Sequence, residues 1–471
     1  MKAKPAVQQA MLALFVASLL GCSAVDNVNY ADQASQNQTD ISQRLIEQLI
    51  EQLLATSNAN EVPDQSVARL TDLVNVPELQ QFMTAALENN PSLQQSVVAL
   101  NMAYAQHGIT SASRLPSVDA SFSGTLTEDS EDSYTTDITV SWELDLWQKI
   151  ADSSNAALKD IASTQASLQS AQDLVVANVM RSWLDISLKQ QLVTIETQRL
   201  AVLDNNQALI LARYRVGLGS LEDLDNATTS VASTQATLVD YQEQLAQSRR
   251  NLTLLTGQWT GSDVSVDIST QFPTVLNPID SLGQQNLGRR PDIKAAFYNI
   301  EAESLRTDAA YKAMLPSISL SASLSDMAQS PSDALLTGPL WSVLGQLSAP
   351  LFQGGKLKSQ AELARLTTEQ RYWVYQETLL NAVNEVENTV GQEYSLAKQQ
   401  QHLTDAQLSA QRSFVSYEQK YRQGLVDIFD LLTVQQQTFD VEAQLVTTIY
   451  NRLINRIDLG LALGLGVSHE A

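Results

Sequence analysis

Residues 115–126 read LPSVDASFSGTL, and residues 315–326 read LPSISLSASLSD. After the proline of each segment, apolar or small residues alternate with polar ones at every second position. Because successive side chains of a strand point to opposite faces, this pattern predicts half-buried β-strands at about 116–127 and 316–325. The same alternation recurs in two further segments, at about 136–147 and, less regularly, at about 339–352.

The predicted strands have the length of membrane-spanning ones. A tilted transmembrane strand needs about ten residues, and small polar residues on the second face suit a water-filled lumen. A soluble antiparallel sheet is the alternative on this pattern alone. Four strands cannot close a barrel, since even small membrane barrels have about eight. If the strands cross a membrane, several chains must share one barrel.

The two strand pairs belong to a duplicated unit. Landmarks recur in the same order at an offset of roughly 200 residues, which indicates two structural repeats. The matched pairs are Asn90-Pro91 with Arg290-Pro291, Leu146-Trp147-Gln148 with Leu351-Phe352-Gln353, and Tyr214 to Leu218 with Tyr421 to Leu425.

Long segments almost without glycine or proline follow each strand pair. Lys149 to Val216 contains neither residue, and Leu357 to Gln423 contains only Gly391. Each segment ends at a short glycine turn and is followed by a returning segment, so we predict two antiparallel helical hairpins, at about 148–256 and 353–459. A continuous helix of this length extends on the order of 100 Å. A soluble coiled-coil rod would explain these helices but not the strands.

Composition excludes several classes of function. The chain has 471 residues and a formal net charge of -23, which repels nucleic acid. Three scattered histidines and one cysteine cannot form a Cys/His zinc site, and no nucleophile lies in a pattern with a base and a third group. We therefore expect neither an enzyme nor a bound metal or cofactor.

The amino terminus predicts a lipoprotein. Lys2 and Lys4 precede an apolar run that is too short to cross a membrane, which is typical of a secretory signal over residues 1–21. The run closes with Leu19-Leu20-Gly21-Cys22, a sequence that resembles a lipobox and implies fatty acylation of Cys22, for example with palmitate. A chance cysteine in a secretory leader is the alternative. Residues 22–75 would form a lipid-anchored arm with an amphipathic segment near Ile41 to Leu54, and the sequence indicates no function for this arm.

Three motifs carry a resemblance to a known family. They are Val76-Pro77-Glu78-Leu79, Leu287 to Ile293 (LGRRPDI) and Ala349 to Gly355 (APLFQGG). With the duplicated order, they resemble the lipidated OprM/NodT-type branch of the TolC-like outer-membrane efflux proteins. The resemblance implies an α+β membrane protein, a homotrimer whose chains contribute four strands each to a 12-stranded β-barrel continuous with a long periplasmic α-helical barrel. The repeats would span 76–272 and 273–466, followed by a tail at 467–471.

The resemblance also implies a function and partners. The chain would be the passive outer-membrane exit duct of a tripartite efflux system, receiving small toxic compounds or drugs from an inner-membrane pump and a periplasmic membrane-fusion adaptor. An RND-type pump is favoured and an ABC type is possible. A type I protein secretion duct, a diffusion porin and a lipid-anchored structural coiled-coil protein are the alternatives.

The glycine turns are the predicted functional sites. By resemblance, two groups dock the adaptor, namely Val216, Gly217 and Leu218, and Gln423, Gly424 and Leu425. A periplasmic gate would comprise Tyr214, Arg215, Glu222, Asp223, Tyr421, Arg422, Asp427 and Asp430. Asp430 falls at a family position where acids narrow the pore, and Tyr421 and Arg422 fall among residues that keep the tip closed. Ordinary acids at helix N-termini are the alternative for the carboxylates. The polar, lumen-side face of the strands would carry Asp119, Asp137, Glu143 and Asp145, and acids along the duct would favour passage of cations.

Overall fold

The fold was analysed in a computed structural model that describes residues 29–56, 69–74, 76–128, 130–258, 271–277 and 287–467. The predicted signal peptide, Cys22 and residues 468–471 of the predicted tail lie outside these residues. Among the helices described, none is long and apolar enough to cross a membrane.

The first repeat contains four helices and two strands. Two helices that adjoin each other at Asn90 come first, and two strands then lead into a long helix and a returning helix. Their bounds are α2 Pro77–Asn89, α3 Pro91–Ala112, β1 Ser117–Thr127, β2 Ser130–Leu144, α4 Lys149–Arg215 and α5 Leu221–Leu255. An earlier helix, α1, spans Tyr30–Thr56.

The second repeat has the same order as the first from α3 onward. Its elements are α6 Pro291–Lys312, β3 Ser317–Ala328, β4 Leu340–Ser348, α7 Lys356–Arg422 and α8 Ile428–Ala462. The long helices α4 and α7 both have 67 residues, and the returning helices α5 and α8 both have 35. The predicted duplicated unit of helix, two strands and helical hairpin is confirmed.

The four strands form one antiparallel sheet in the order β1-β2-β3-β4. The register places Val118, Val140, Ala322 and Val343 side by side across the sheet. The adjacent row, on the opposite face, is Asp119, Thr139, Ser323 and Ser342. One face is thus mainly apolar and the other mainly polar, as the alternation predicts, although Leu340 and Leu344 of β4 lie on the polar face, opposite Ser325 and Ser321. Strands β1 and β4 are exposed along their whole length and lie at the edges of the sheet.

Four strand bounds differ from the prediction by three residues or more, since β2 also ends at Leu144 rather than 147 and β3 ends at Ala328 rather than 325. Strand β2 begins at Ser130, six residues earlier than expected, because residues 130–135 pair with the end of β1 although Tyr134 is the one residue among them with a large apolar surface. Strand β4 ends at Ser348 rather than 352, before Pro350, which has no N–H for a ladder hydrogen bond.

The sequence suggested that the acids near the end of β2 face a lumen, but not all of them do. Asp145 follows the strand, and its carboxylate accepts the backbone N–H groups of Ile150 and Ala151 at 3.0 and 2.7 Å. Asp145 therefore stabilises the first turn of α4. Glu143 forms an ion pair with Lys149 at 2.7 Å.

Equivalent side chains join each repeat to the end of its own hairpin. Asn90, before α3, donates to the carbonyl of Leu255 at 2.9 Å, while its side-chain oxygen accepts the N–H groups of Ser92 and Leu93. Arg290, before α6, donates to the carbonyl of Ala462 at 3.1 Å. Arg290 is 7% exposed and also contacts Asp292 and Glu385, both at 2.7 Å.

Helix α1 packs against α7 and α6. The Tyr375 hydroxyl of α7 donates to the Ala34 carbonyl at 3.1 Å, and Asn37 donates to the Tyr372 hydroxyl at 3.0 Å. The Tyr30 ring packs on that of Tyr372, with centroids 5.3 Å apart. Residues 30–56 of the amino-terminal arm thus form a helix docked on the second hairpin, and a short 3-10 helix of the same arm, Leu70–Leu73, packs separately against α4 and α8.

Candidate functional site at the hairpin tips

Both glycine turns have the same geometry. Gly217 has a φ of 75°, and Leu218 donates its N–H to the carbonyl of Arg213 at 2.9 Å. Gly424 has a φ of 72°, and Leu425 donates to the carbonyl of Lys420 at 2.9 Å. These are Schellman-type helix ends, in which a left-handed residue lets the chain reverse. An added Cβ at either glycine would touch nothing within 4 Å, so backbone conformation and not lack of space favours glycine there.

The tips present apolar side chains to solvent. Val216, Leu218 and Leu425, three of the residues predicted to dock the adaptor, are 69–70% exposed, and Gln423 is also exposed. Exposed aliphatic side chains at each turn, where backbone hydrogen bonds hold the chain reversal, are suited to contact a partner.

The four predicted gate acids have different surroundings. Asp223 belongs to a capping box, because it accepts the Ser220 N–H at 3.1 Å while the Ser220 hydroxyl accepts the Asp223 N–H at 3.0 Å. Asp427 caps α8 by accepting the N–H of Asp430 at 2.9 Å. Within the described residues, the carboxylates of Glu222 and Asp430 accept no hydrogen bond and are exposed. Asp427 and Asp223 thus stabilise helix starts, as the alternative interpretation expects.

The predicted aromatic and basic gate residues are only partly brought together. Tyr421 packs at the edge of an apolar cluster that joins the hairpins near their tips. Arg422 forms an ion pair with Glu418 of its own helix at 2.6 Å. Tyr214 and Arg215 are exposed at the first tip and lie outside that cluster. The buried residues of the cluster are Leu203, Ile210, Ala227, Val231, Ile428, Leu431 and Leu432.

Ion pairs between the hairpins were not predicted. Arg199 of α4 contacts Asp440 of α8 at 2.7 Å, and Arg181 of α4 contacts Asp458 of α8. Glu196 lies beside Arg199, and burial raises the pKa of its carboxyl, an effect that Arg199 opposes. No repeated motif marks these residues, since the position equivalent to Arg199 in the second long helix is Ala406.

The described residues contain no group of three or more histidine, cysteine, aspartate or glutamate side chains that could hold a metal ion. The tips present exposed carboxylates, exposed aliphatic residues, and two turns held by backbone hydrogen bonds.

Both halves of the chain match one family model, described as "Outer membrane efflux protein", over residues 83–258 and 282–465. Among curated proteins, the chain is 26% identical to the probable outer membrane lipoprotein SilC of Salmonella typhimurium, over 83% of this chain and 86% of that protein. It is 25% identical to the toluene efflux pump outer membrane protein TtgC of Pseudomonas putida, over 83% of both. It is 24% identical to the cation efflux system protein CusC of Escherichia coli strain K12, over 83% and 87%.

Solved structures have the same fold. A membrane protein from Pseudomonas aeruginosa matches with a TM-score of 0.77 and 25% identity, over 87% of this chain and all of that one. The CmeC outer membrane channel of Campylobacter jejuni matches with a TM-score of 0.80 and 19% identity, over 89% and 93%.

Proposed function

The chain belongs to the outer membrane efflux protein family, and from that premise we propose that three copies form one continuous duct for small toxic compounds. The observation that carries the proposal is the sheet: four strands with one apolar face, one polar face and two unpaired edges. Members of the family are channels, and the chain is an outer-membrane exit duct rather than a lipid-anchored rod.

Closure of the barrel supports the homotrimer. Unpaired strand edges cannot lie in hydrocarbon, because no water is present there to bond their N–H and C=O groups. Pairing β4 of one copy with β1 of the next satisfies both edges. Three copies then give twelve strands, whereas the four strands of one copy are too few to enclose a pore.

The hairpins give the duct its periplasmic length. A 67-residue helix extends on the order of 100 Å away from the sheet next to which it starts. We propose that the tips meet a periplasmic adaptor through Val216, Leu218 and Leu425, and that an inner-membrane pump, of the RND type or the ABC type, supplies the energy. We also propose lipidation of Cys22 as a second membrane anchor.

The relatives support small molecules as substrates. The names of CusC and TtgC mention cations and toluene, respectively. We propose small organic toxicants, drugs or metal cations as the substrate class here, with protein secretion as the second candidate. In a strain that lacks the gene, accumulation of hydrophobic dyes and antibiotics should rise several-fold and return to normal on complementation. Unchanged accumulation together with retention of a secreted protein would favour the second candidate.

The gate is proposed at the tip of the second hairpin. At this tip, Asp430 rather than Asp427 has a carboxylate that is exposed and unused by a helix cap, so three copies around the axis would attract cations. In planar bilayers, Asp430→Asn should shift the reversal potential toward that of a non-selective pore. Asp427→Asn is the matched control, since asparagine also caps helices. An equal shift in both variants would contradict the assignment.

Closure of the tip has its own test. Replacing Tyr421 and Arg422 by alanine removes an aromatic contact between the hairpins and an exposed cation. Cells with this double variant should take up large antibiotics that wild-type cells exclude. Arg412→Ala, on the same helix away from the tip, is the control. Wild-type uptake at normal protein abundance would show that these residues do not hold the gate closed.

A further inference from the structure

Helices α3 and α6 are equivalent, but in the described part of the chain only α6 is covered on both sides. Each has 22 residues, and α6 starts 200 positions after α3. Helix α6 packs against both long helices, α4 and α7, whereas α3 packs against α4 on one side. Among the residues that the structure describes, none therefore covers the other face of α3 in the single chain.

The faces correspond residue by residue. On α6, Ile293, Ile300 and Thr307 face α7, where the hydroxyl of Thr307 lies 2.9 Å from that of Thr368. Their equivalents Leu93, Leu100 and His107 are the less exposed residues of α3. Helix α3 thus packs against α4 of its own repeat. It does so through the face that corresponds to the face of α6 in contact with α7. The opposite face of α3 is the one that, in α6, is covered by α4.

Exposure confirms this correspondence. Ala302 and Ala309, on the face of α6 toward α4, are 0% and 8% exposed. Their equivalents on α3, Met102 and Ile109, are both 67% exposed. Two large apolar side chains in solvent, where the repeat buries two alanines, require a partner.

The complementary surface lies on α7. Helix α4 contacts α6 through a stretch that includes Ala156, Lys159 and Ser163, and Ala156 is 0% exposed. Helix α7 starts 207 positions after α4, so the equivalent residues on α7 are Leu363, Leu366 and Gln370. Leu363 is 66% exposed and Leu366 is 46% exposed. Because α3 leads into edge strand β1 and α7 follows edge strand β4, both faces adjoin edges that must pair between copies.

We propose that Met102 and Ile109 of one copy pack against Leu363 and Leu366 of a second copy, forming an apolar seam between subunits. This inference rests on the trimeric duct proposed above and specifies what holds its helices together. Within one chain the equivalent contact is ionic: Lys159 pairs with Glu301 at 2.8 Å, and two further ion pairs flank it. At the seam, Leu366 and Asn101 replace that lysine and glutamate.

Two consequences follow from the difference in chemistry. The seam depends on apolar burial and not on charge, so salt should not weaken it. Its side chains are also larger than the alanines of the intrachain contact, so the two helices must lie farther apart between copies than within one. The trimer contains six equivalent repeats, and their arrangement around the helical barrel is therefore only approximately six-fold symmetric.

The seam can be tested by cross-linking. A variant with Ile109→Cys and Leu363→Cys, in full-length protein in detergent, should give covalent dimers and trimers on denaturing gels after treatment with a short bis-maleimide. Each single variant should give none. The matched control combines Ile109→Cys with Leu408→Cys. Leu408 is an exposed leucine of α7 outside the proposed seam, so this variant should also give no cross-links.

The outcomes separate the seam from the duct. A trimer by native mass spectrometry without cross-links would overturn the seam and leave the duct intact. A wild-type monomer under all conditions would overturn the trimeric duct itself. As a second measurement, the wild-type trimer should persist from low to molar salt, and Leu363→Glu should reduce the trimer fraction at least ten-fold. Dissociation of the wild type by salt alone would contradict an apolar seam.

Discussion

The two repeats have nearly the same backbone and are stabilised by different side chains. Asn90 of the first repeat and Arg290 of the second both bond the last turn of their own hairpin, but only Arg290 also contacts two carboxylates. Ser220 and Asp223 cap α5 reciprocally, whereas Asp427 alone caps α8 and leaves the Asp430 carboxylate unused. Duplication thus preserved turns and helix lengths, while polar contacts diverged at the helix ends.

The largest expected effect compares Arg290 with Asn90. Arg290→Ala should lower stability by roughly 2–4 kcal/mol, because it leaves the carbonyl of Ala462 without this donor and removes two charged contacts. Asn90→Ala, which loses a helix cap, should cost about 1–2 kcal/mol. Thermal unfolding in detergent measures both. Equal losses would show that the extra carboxylate contacts contribute nothing.

The next effect depends on pH and concerns Asp173, whose equivalent in the second repeat is Leu380. Burial raises the pKa of the Asp173 carboxyl to about 6, partly offset by hydrogen bonds from Val467 and Gln169. The folded protein then binds a proton more tightly than the unfolded chain, so stability falls as pH rises from about 4 to about 6.

Asp173→Asn should remove that loss, since asparagine can still accept the Val467 N–H. The stability of the variant relative to wild type should rise by roughly 1–3 kcal/mol between pH 4 and pH 7. Melting temperatures across this range measure the difference, and the exposed Asp204→Asn is the control. Parallel profiles for wild type and Asp173→Asn would refute the assignment.

The tip glycines should respond equally. Gly217→Ala and Gly424→Ala should each cost about 1 kcal/mol, because alanine is strained at a positive φ and the added methyl group meets nothing. Gly391→Ala, inside α7 with open space around it, should instead stabilise by about 0.5–1 kcal/mol. Unequal losses at the two tips would show that they differ in more than side chains.

The smallest effect lies where the repeats enter their long helices. Gln148 has a φ of 62°, and its equivalent Gly355 has a φ of 85°. Gln148→Gly should therefore stabilise the protein by about 0.5 kcal/mol, and Gly355→Gln should destabilise it by a similar amount. Chemical denaturation of both variants measures the pair, and the same sign in both would contradict a backbone origin.

The sequence predicted most of the fold because its signals were local and occurred twice. Alternation after Pro116 and Pro316 marked two strands, and Gly217 and Gly424 marked two reversals. The start of β2 was missed because Tyr134 is the one residue among 130–135 with a large apolar surface, so no alternation separates them from a loop. Helix α1 was only partly visible, since its buried residues face α7 across a long sequence separation.

The candidate site was predicted less completely. The turns followed from glycine and chain reversal, but Asp427 and Asp430 could not be ranked until the cap hydrogen bond distinguished them. The contact of Arg199 with Asp440 joins residues 241 positions apart, and no local pattern encodes such a pair. Asp145 could have been predicted to stabilise a helix start, because it is an acid placed just before a helix. It was interpreted as a lumen residue instead.

The open edges of the sheet also constrain how the molecule is made. A single chain carries two exposed strands whose backbone groups invite pairing with any other strand, and it cannot enter hydrocarbon with them unpaired. Membrane insertion must therefore accompany or follow association of the copies, so its rate should depend steeply on chain concentration. For this protein, folding of the spanning part and assembly are one kinetic event.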